Sequence, residues 1–123
     1  MKADPRLIEI FKDTILWAVR RDERDLSARQ LAVLLICRME PPPHTVRGLA
    51  ERLGIPKPSV TRAADRLEDL KLAKRQADPR DRRSVLIATT PAGRTFVQEL
   101  QSAMELAAEH RMSAATSPLA AAV

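Results

Sequence analysis

The 123-residue sequence has little cysteine, few aromatic residues and no long apolar run. Its single cysteine, Cys37, excludes an internal disulfide and a multi-cysteine metal cluster. Two Phe, one Trp and no Tyr are too few for rows of platforms on which single-stranded nucleic acid stacks. No apolar run approaches the ~18 residues of a membrane-spanning helix, and the N-terminus lacks the pattern of a secretion signal. We therefore expect a cytoplasmic protein without membrane contact.

Signatures of catalysis are also missing. The sequence contains no Gly-rich phosphate loop, no His-carboxylate-Ser arrangement and no zinc motif. The two histidines, His44 and His110, lack Cys, His or carboxylate partners at ligand spacing. We therefore expect neither an enzyme nor a cofactor or metal site.

Positive charge is concentrated in one part of the chain. Lys and Arg number 21 against 16 Asp and Glu, which gives a net charge of +5. The segment from Lys57 to Arg83 contains nine basic and five acidic residues, so it accounts for nearly the whole excess. Focused positive charge favours a polyanionic partner.

Start and stop residues divide most of the chain into helices. Asp4 before Pro5 begins the first, the capping-box spacing from Ser27 to Gln30 begins the second, and Gly54 follows the third. Because a residue before proline avoids helical backbone, Lys57 is expected to lie just outside the fourth helix. The predicted helices are Pro5–Arg21, Ala28–Met39, Val46–Leu53, Pro58–Lys71 and Pro91–Met112.

The pattern changes after Leu72, where two short antiparallel strands are predicted. They cover Ala73–Ala77 and Ser84–Thr89, the second favoured by its β-branched residues. The intervening DPRDRR is an arginine-rich turn, too charged for a core. Read by itself, such a turn is also typical of an ordinary solvated loop.

A helix, a short turn containing glycine, a second helix and a hairpin make a winged helix-turn-helix. The second of these helices fits the major groove of B-DNA, which is about 12 Å wide. The fourth predicted helix has an apolar face that includes Val60 and Leu67, and its other face is expected to be exposed. Arg66 suits a phosphate, or a surface pair with Asp69, better than a base. The candidate DNA-binding residues are Lys57, Ser59, Thr61, Arg62 and Arg66 in this helix, and Arg80, Arg82 and Arg83 in the wing.

The segment from Pro58 to Gly93 resembles the recognition helix, wing and following helix start of the MarR family of bacterial transcription regulators. The resemblance extends over about Leu26 to Leu100. Its most specific parts are Val60-Thr61-Arg62, Asp65-Arg66-Leu67-Glu68, Asp81-Arg82-Arg83 and Thr90-Pro91-Ala92-Gly93.

The resemblance implies a dimer, formed by helices from both chain ends, on a pseudo-palindromic operator. It implies that Ser59, Thr61 and Arg62 read the major groove and that Arg82 at the wing tip enters the minor groove. Asp81 and Arg83 would pair to shape the wing. A small-molecule effector of unknown identity is a further possible partner. The sequence departs from the family where an Ala-rich tail replaces the usual final helix.

Two apolar helices at the chain ends support the same organisation. The first predicted helix is apolar on more than one face, which favours burial by a second subunit, although burial within one monomer also fits. We expect a mainly α protein with a two-stranded β wing. Its predicted parts are an N-terminal dimerisation helix (1–24), a winged helix-turn-helix DNA-binding domain (25–90), a C-terminal dimerisation helix (91–112) and a flexible tail (113–123).

The function expected from these features is sequence-specific regulation of transcription, repression in particular. Two alternatives stay open: a winged-helix module that docks an acidic protein, and a nucleoid-type binder without sequence preference. Cys37 fits an inert core thiol or, as in some members of the family, an oxidation sensor.

Overall fold

The computed structural model describes residues 4–21 and 25–116, with the side chains of 111–116 left out of the description. Five helices and two strands occur in this part of the chain, which confirms the predicted mainly α fold with a two-stranded wing. The elements are α1 (Pro5–Val19), α2 (Ala28–Met39), α3 (Val46–Leu53), α4 (Lys57–Asp69), β1 (Ala73–Asp78), β2 (Asp81–Thr89) and α5 (Pro91–Thr116).

The chain divides into two compact units. One unit runs from Leu26 to Val97 and contains α2, α3, α4, both strands and the start of α5. The other contains α1 and the part of α5 from Gln98 onward. In that second unit the guanidinium of Arg21 pairs with the carboxylate of Glu99 and lies 4.9 Å from the ring centre of Trp17.

The helix ends confirm the predicted caps at two places. The Ser27 hydroxyl accepts the Gln30 amide hydrogen at 3.2 Å, and the Gln30 side chain accepts the Ser27 amide hydrogen at 3.0 Å. Gly54 ends α3 with a φ of 67°, a left-handed backbone that glycine adopts without a steric penalty.

Both ends of α4 differ from the prediction. The helix begins at Lys57 because the Pro56 carbonyl already accepts the Ser59 amide hydrogen at 2.9 Å. Pro58 is tolerated in this first turn because amides there need no helical partner. At the other end, Lys71 adopts a left-handed φ of 62°, so the helix stops at Asp69 and not at Lys71.

The end of the last helix, α5, also differs from the prediction. It continues to Thr116, four residues beyond the predicted end at Met112. Residues 117–123 lie outside the described residues.

The core of the larger unit forms where α2 and α3 pack against α4. The apolar positions of α4 repeat at helical spacing, so one face is buried along its length. Each fully buried side chain of this size contributes roughly 1.5 to 3 kcal/mol. The largest fully buried side chains are Phe96, Leu34, Leu49, Leu67, Leu72, Val33 and Val60.

The two strands form an antiparallel hairpin whose base is attached to the helices. Pairing runs from Ala73 opposite Thr89 to Ala77 opposite Val85. The Ile87 amide hydrogen binds the His44 carbonyl at 2.8 Å, just before α3 begins. Ile87 itself is buried, so the base of the hairpin belongs to the core.

Gly93 allows the start of α5 to lie against the end of α4. A Cβ atom there would collide with the Leu72 carbonyl oxygen and lie 2.7 Å from Cγ2 of Thr89. The same Leu72 carbonyl accepts the Thr90 amide hydrogen at 3.1 Å, so it cannot move freely. The sequence motif that begins at Thr90 therefore supplies close packing as well as a helix cap.

We expect Gly93→Ala to lower the free energy of unfolding by about 1–3 kcal/mol, the usual cost of overpacking. In an open helical position the same change would stabilise, because alanine is the better helix former by about 1 kcal/mol. Urea denaturation measures the difference. The exposed neighbour Arg94→Ala is the control and should stay within about 0.5 kcal/mol of the starting protein. Equal or greater stability of Gly93→Ala would contradict the packing.

Candidate nucleic-acid interface

The outer face of α4 presents basic side chains along the helix, from Lys57 in the first turn to Arg66 in the last. Lys57, Arg62 and Arg66 are exposed, and Thr61 is half-buried. The opposite face packs on α2, α3 and β1. Four of the five residues predicted for this helix therefore reach its surface.

Ser59 is the exception and corrects the prediction that it is exposed. Its residue is only 7% exposed. It precedes Ala63 and Leu67 by one and two helical turns, and both are buried. That spacing in the sequence could have placed Ser59 on the inner face. Burial thus leaves little of Ser59 at the surface of the helix.

The Ser59 hydroxyl instead accepts hydrogen bonds from two arginines. Nη2 of Arg62 lies 3.3 Å from Oγ, and Nη1 of Arg29 lies 3.4 Å from the same atom. Arg29 lies in the first turn of α2, thirty residues before Ser59. Sequence reasoning missed Arg29 because nothing in the local pattern places α2 beside the start of α4.

The wing ends in a tight turn whose tip is Pro79-Arg80. Oδ1 of Asp78 accepts the Arg80 amide hydrogen at 2.9 Å. Strand pairing then jumps from Ala77 opposite Val85 to Asp78 opposite Asp81, which leaves residues 82–84 without partners across the hairpin. Arg80 thus occupies the tip, where the prediction placed Arg82.

Asp81 shapes this irregular segment, though by other contacts than the predicted pair with the Arg83 guanidinium. Its Oδ1 accepts the backbone amide hydrogen of Arg83 at 3.0 Å, and its Oδ2 accepts the Ser84 hydroxyl at 3.2 Å. The side chains of Arg82 and Arg83 are exposed. Because the carboxylate holds the backbone, both guanidinium groups are left to solvent.

The wing cations have no acidic partners in the part of the chain that the structure describes. No carboxylate there lies within 4 Å of the guanidinium nitrogens of Arg80, Arg82 or Arg83. Unpaired surface charges of one sign attract a counter-charge. This edge of the hairpin is therefore suited to an anionic partner.

Arg75 links the wing to α4, a contact that the sequence did not reveal. Its Nη1 lies 2.7 Å from Oδ1 of Asp65, and its Nη2 lies 3.5 Å from Oε1 of Glu68. Its backbone amide also donates to Oε2 of Glu68 at 2.9 Å. That amide and the adjacent guanidinium hold the pKa of Glu68 below its usual value. Two acidic groups of α4 are thus turned toward β1 and compensated there.

A family model for the MarR family matches residues 24–84, which contain α2, α3, α4, β1 and the arginines of the wing. The chain belongs to the MarR family. The sequence resemblance is thereby confirmed over the helix-turn-helix and the wing.

Known proteins agree with membership of the MarR family. The uncharacterized HTH-type transcriptional regulator YcgE of Bacillus subtilis (strain 168) is 34% identical over 73 residues, which are 55% of this chain and 47% of YcgE. The crystal structure of the transcriptional regulator BldR from Sulfolobus solfataricus matches with 27% identity and a TM-score of 0.61, over 87% of this chain and 77% of BldR.

A third similar structure is the S. aureus MepR-DNA complex. It matches with 23% identity and a TM-score of 0.72, over 88% of this chain and 87% of MepR. This likeness confirms the winged helix-turn-helix fold. The chain spans about half the length of the curated relative that it matches.

Other chemistry finds little support in this MarR-family chain. Cys37 lies in the last turn of α2, and burial raises the pKa of its thiol to about 11, so the reactive thiolate is scarce at neutral pH. This favours the inert thiol over the oxidation sensor.

Within the described ranges, no group of three or more His, Cys, Asp or Glu side chains is arranged to hold a metal ion. No described helix is long and apolar enough to cross a membrane.

We expect Arg75→Ala to loosen the wing while the helical core stays intact. The substitution removes both side-chain contacts to α4, so backbone amides of the hairpin beyond residue 75 should exchange hydrogen roughly twofold to fivefold faster, the range of exposed ion pairs. Hydrogen exchange followed by NMR measures this. Gln76→Ala, exposed on the opposite face of the same strand, is the matched control. Unchanged exchange in Arg75→Ala, or the same acceleration in Gln76→Ala, would contradict the role of Arg75.

Proposed function

We propose that the protein is a sequence-specific regulator of transcription that binds double-stranded DNA. The observation that carries the proposal is the presence of two exposed basic groups, on α4 and on the wing, with Asp65 and Glu68 of α4 paired with Arg75. Membership of the MarR family supports it, as does the likeness to MepR, whose crystal structure is a complex with DNA. Such a role places the protein in the cytoplasm.

The two basic groups have different tasks in this proposal. α4 enters the major groove, where Arg62 and Thr61 contact base edges and where Lys57 and Arg66 contact phosphates. The wing lies along the neighbouring minor groove, whose negative potential favours arginine. Arg80 at the tip enters first, and the bulged Arg82 and Arg83 follow beside it.

We further propose that two copies bind one pseudo-palindromic operator. Large apolar side chains of α1 are exposed, with Leu7 at 64%, Ile8 at 68% and Phe11 at 58%. An exposed apolar stripe of this kind is typical of an interaction surface. A second copy would cover it and would set two recognition helices about one turn of DNA, roughly 34 Å, apart. In this proposal residues 1–24 and 91–112 supply the dimer contacts and residues 25–90 bind DNA.

Repression follows most simply from this arrangement. A dimer that covers a promoter excludes polymerase without any further contact. A small-molecule effector stays a prediction from the family resemblance.

DNA binding is tested with a pool of genomic duplex fragments, followed by titration of the retained sequence. The logarithm of the binding constant should fall with the logarithm of salt concentration, with a slope near −0.9 for each phosphate contacted. Arg62→Ala should reduce discrimination at one base pair by roughly 1 to 3 kcal/mol, whereas Arg82→Ala should weaken all sequences alike. Arg38→Ala, which removes a charge from the far end of α2, is the control.

Three results would point away from the proposal. Failure of the unmodified protein to bind any duplex at low salt would favour a protein-docking module. Equal affinity for all sequences would favour a nucleoid-type binder. Equal effects of the Arg62, Arg82 and Arg38 variants would remove the assigned roles.

The dimer is tested by mass in solution at micromolar concentration. We expect about twice the 13.7 kDa of one chain. Phe11→Asp places a charge on the apolar stripe of α1 and should shift the mass toward 13.7 kDa. Met39→Asp is the control, since Met39 is 71% exposed but lies on α2. A monomeric unmodified protein would contradict the proposal.

A further inference from the structure

Two positive charges meet at one buried hydroxyl. Arg29 and Arg62 both donate to Oγ of Ser59, at 3.4 and 3.3 Å. The two donor nitrogens are therefore separated by no more than two hydrogen-bond lengths. Both side chains are exposed, so water screens their repulsion, and a negative charge bound between them would relieve it further.

No acidic group of the described chain supplies that charge. Neither guanidinium has a described carboxylate within 4 Å. Each guanidinium has five N–H donors, and Ser59 accepts one from each. Most N–H donors of these two exposed side chains are thus accessible from solvent.

The local helices add to the positive potential. Arg29 lies in the first turn of α2 and Ser59 in the first turn of α4, and neither first turn contains an acidic residue. Helix starts carry partial positive charge from free amide groups. The two helices also pack on each other, so both starts act on the same region.

We infer that Arg29 is a further DNA-contacting residue, which binds a backbone phosphate beside the start of α4, with Ser59 holding its guanidinium next to that of Arg62. The inference rests on the proposed function and adds a contact outside the recognition helix and the wing. A phosphate is the ligand of choice because its charged oxygens accept the paired donors of a guanidinium. A neutral base edge would leave both charges uncompensated.

Ser59 acquires a positioning role in the same arrangement. One lone pair of Oγ orients Arg29, and the other orients Arg62. The base contact of Arg62 and the phosphate contact of Arg29 are thereby held at a fixed position relative to each other. This assigns a reason for a buried hydroxyl on the inner face of α4.

The test compares Arg29→Gln with Arg38→Gln on the retained duplex. Both substitutions remove one charge from α2, and Arg38 lies nine residues along the helix, half a turn around it and near the other end. Arg29→Gln should weaken binding roughly tenfold and make the salt slope shallower by about 0.9, with the order of sequence preference unchanged. Arg29→Lys should restore the slope, because the charge returns. Arg38→Gln should leave slope and affinity unchanged.

Neutral methylphosphonates, placed one at a time along the duplex, identify the phosphate. One position should weaken binding of the unmodified protein and have no effect on Arg29→Gln. Circular dichroism shows whether each variant is folded, and Arg29→Lys provides the readout if Arg29→Gln is not.

Failure of this inference can be distinguished from failure of the proposed function. If the unmodified protein binds duplex DNA but Arg29→Gln behaves like Arg38→Gln, or if its methylphosphonate profile equals that of the unmodified protein, this inference is overturned alone. If the unmodified protein binds no duplex, the proposed function fails together with it.

Discussion

The burial of one face of α4 is the constraint on which the remaining structure depends. Val60 and Leu67 are fully buried against the packing helices, so the rotation of α4 about its axis is determined. That rotation turns Arg62 and Arg66 outward and Ser59 inward. Since the apolar side chains supply most of the local stability, the polar surface has to accept the orientation that they impose.

The acidic and basic side chains of this helix then differ in their partners. The carboxylates of Asp65 and Glu68 are occupied by Arg75 of β1, while cations near the helix start have no acid beside them. One set of contacts therefore attaches the wing and at the same time neutralises two carboxylates of α4. The Asp81 carboxylate does the same at the wing tip, where it binds backbone and leaves the arginine side chains to solvent.

Much of this structure could be predicted from residue patterns in the sequence. The capping box at Ser27, the glycine after α3 and the helical spacing of Val60 and Leu67 all describe local chemistry, and each was predicted correctly. The predictions were wrong mainly where contacts with residues distant in the sequence determine the structure. The start of α4 is a local exception, because the Pro56 carbonyl accepts the amide hydrogen of Ser59, three residues later.

The sequence by itself determined the winged helix-turn-helix, because caps, turns and hydrophobic period depend on residues a few positions apart. It also determined that the exposed cations cluster in one segment. Only the tertiary structure decided that Arg29 contacts Ser59 and that Arg75 contacts Glu68, because these partners lie thirty and seven residues apart along the chain. The packing of α2 on α4 brings an arginine to a hydroxyl, and no local pattern encodes that distance.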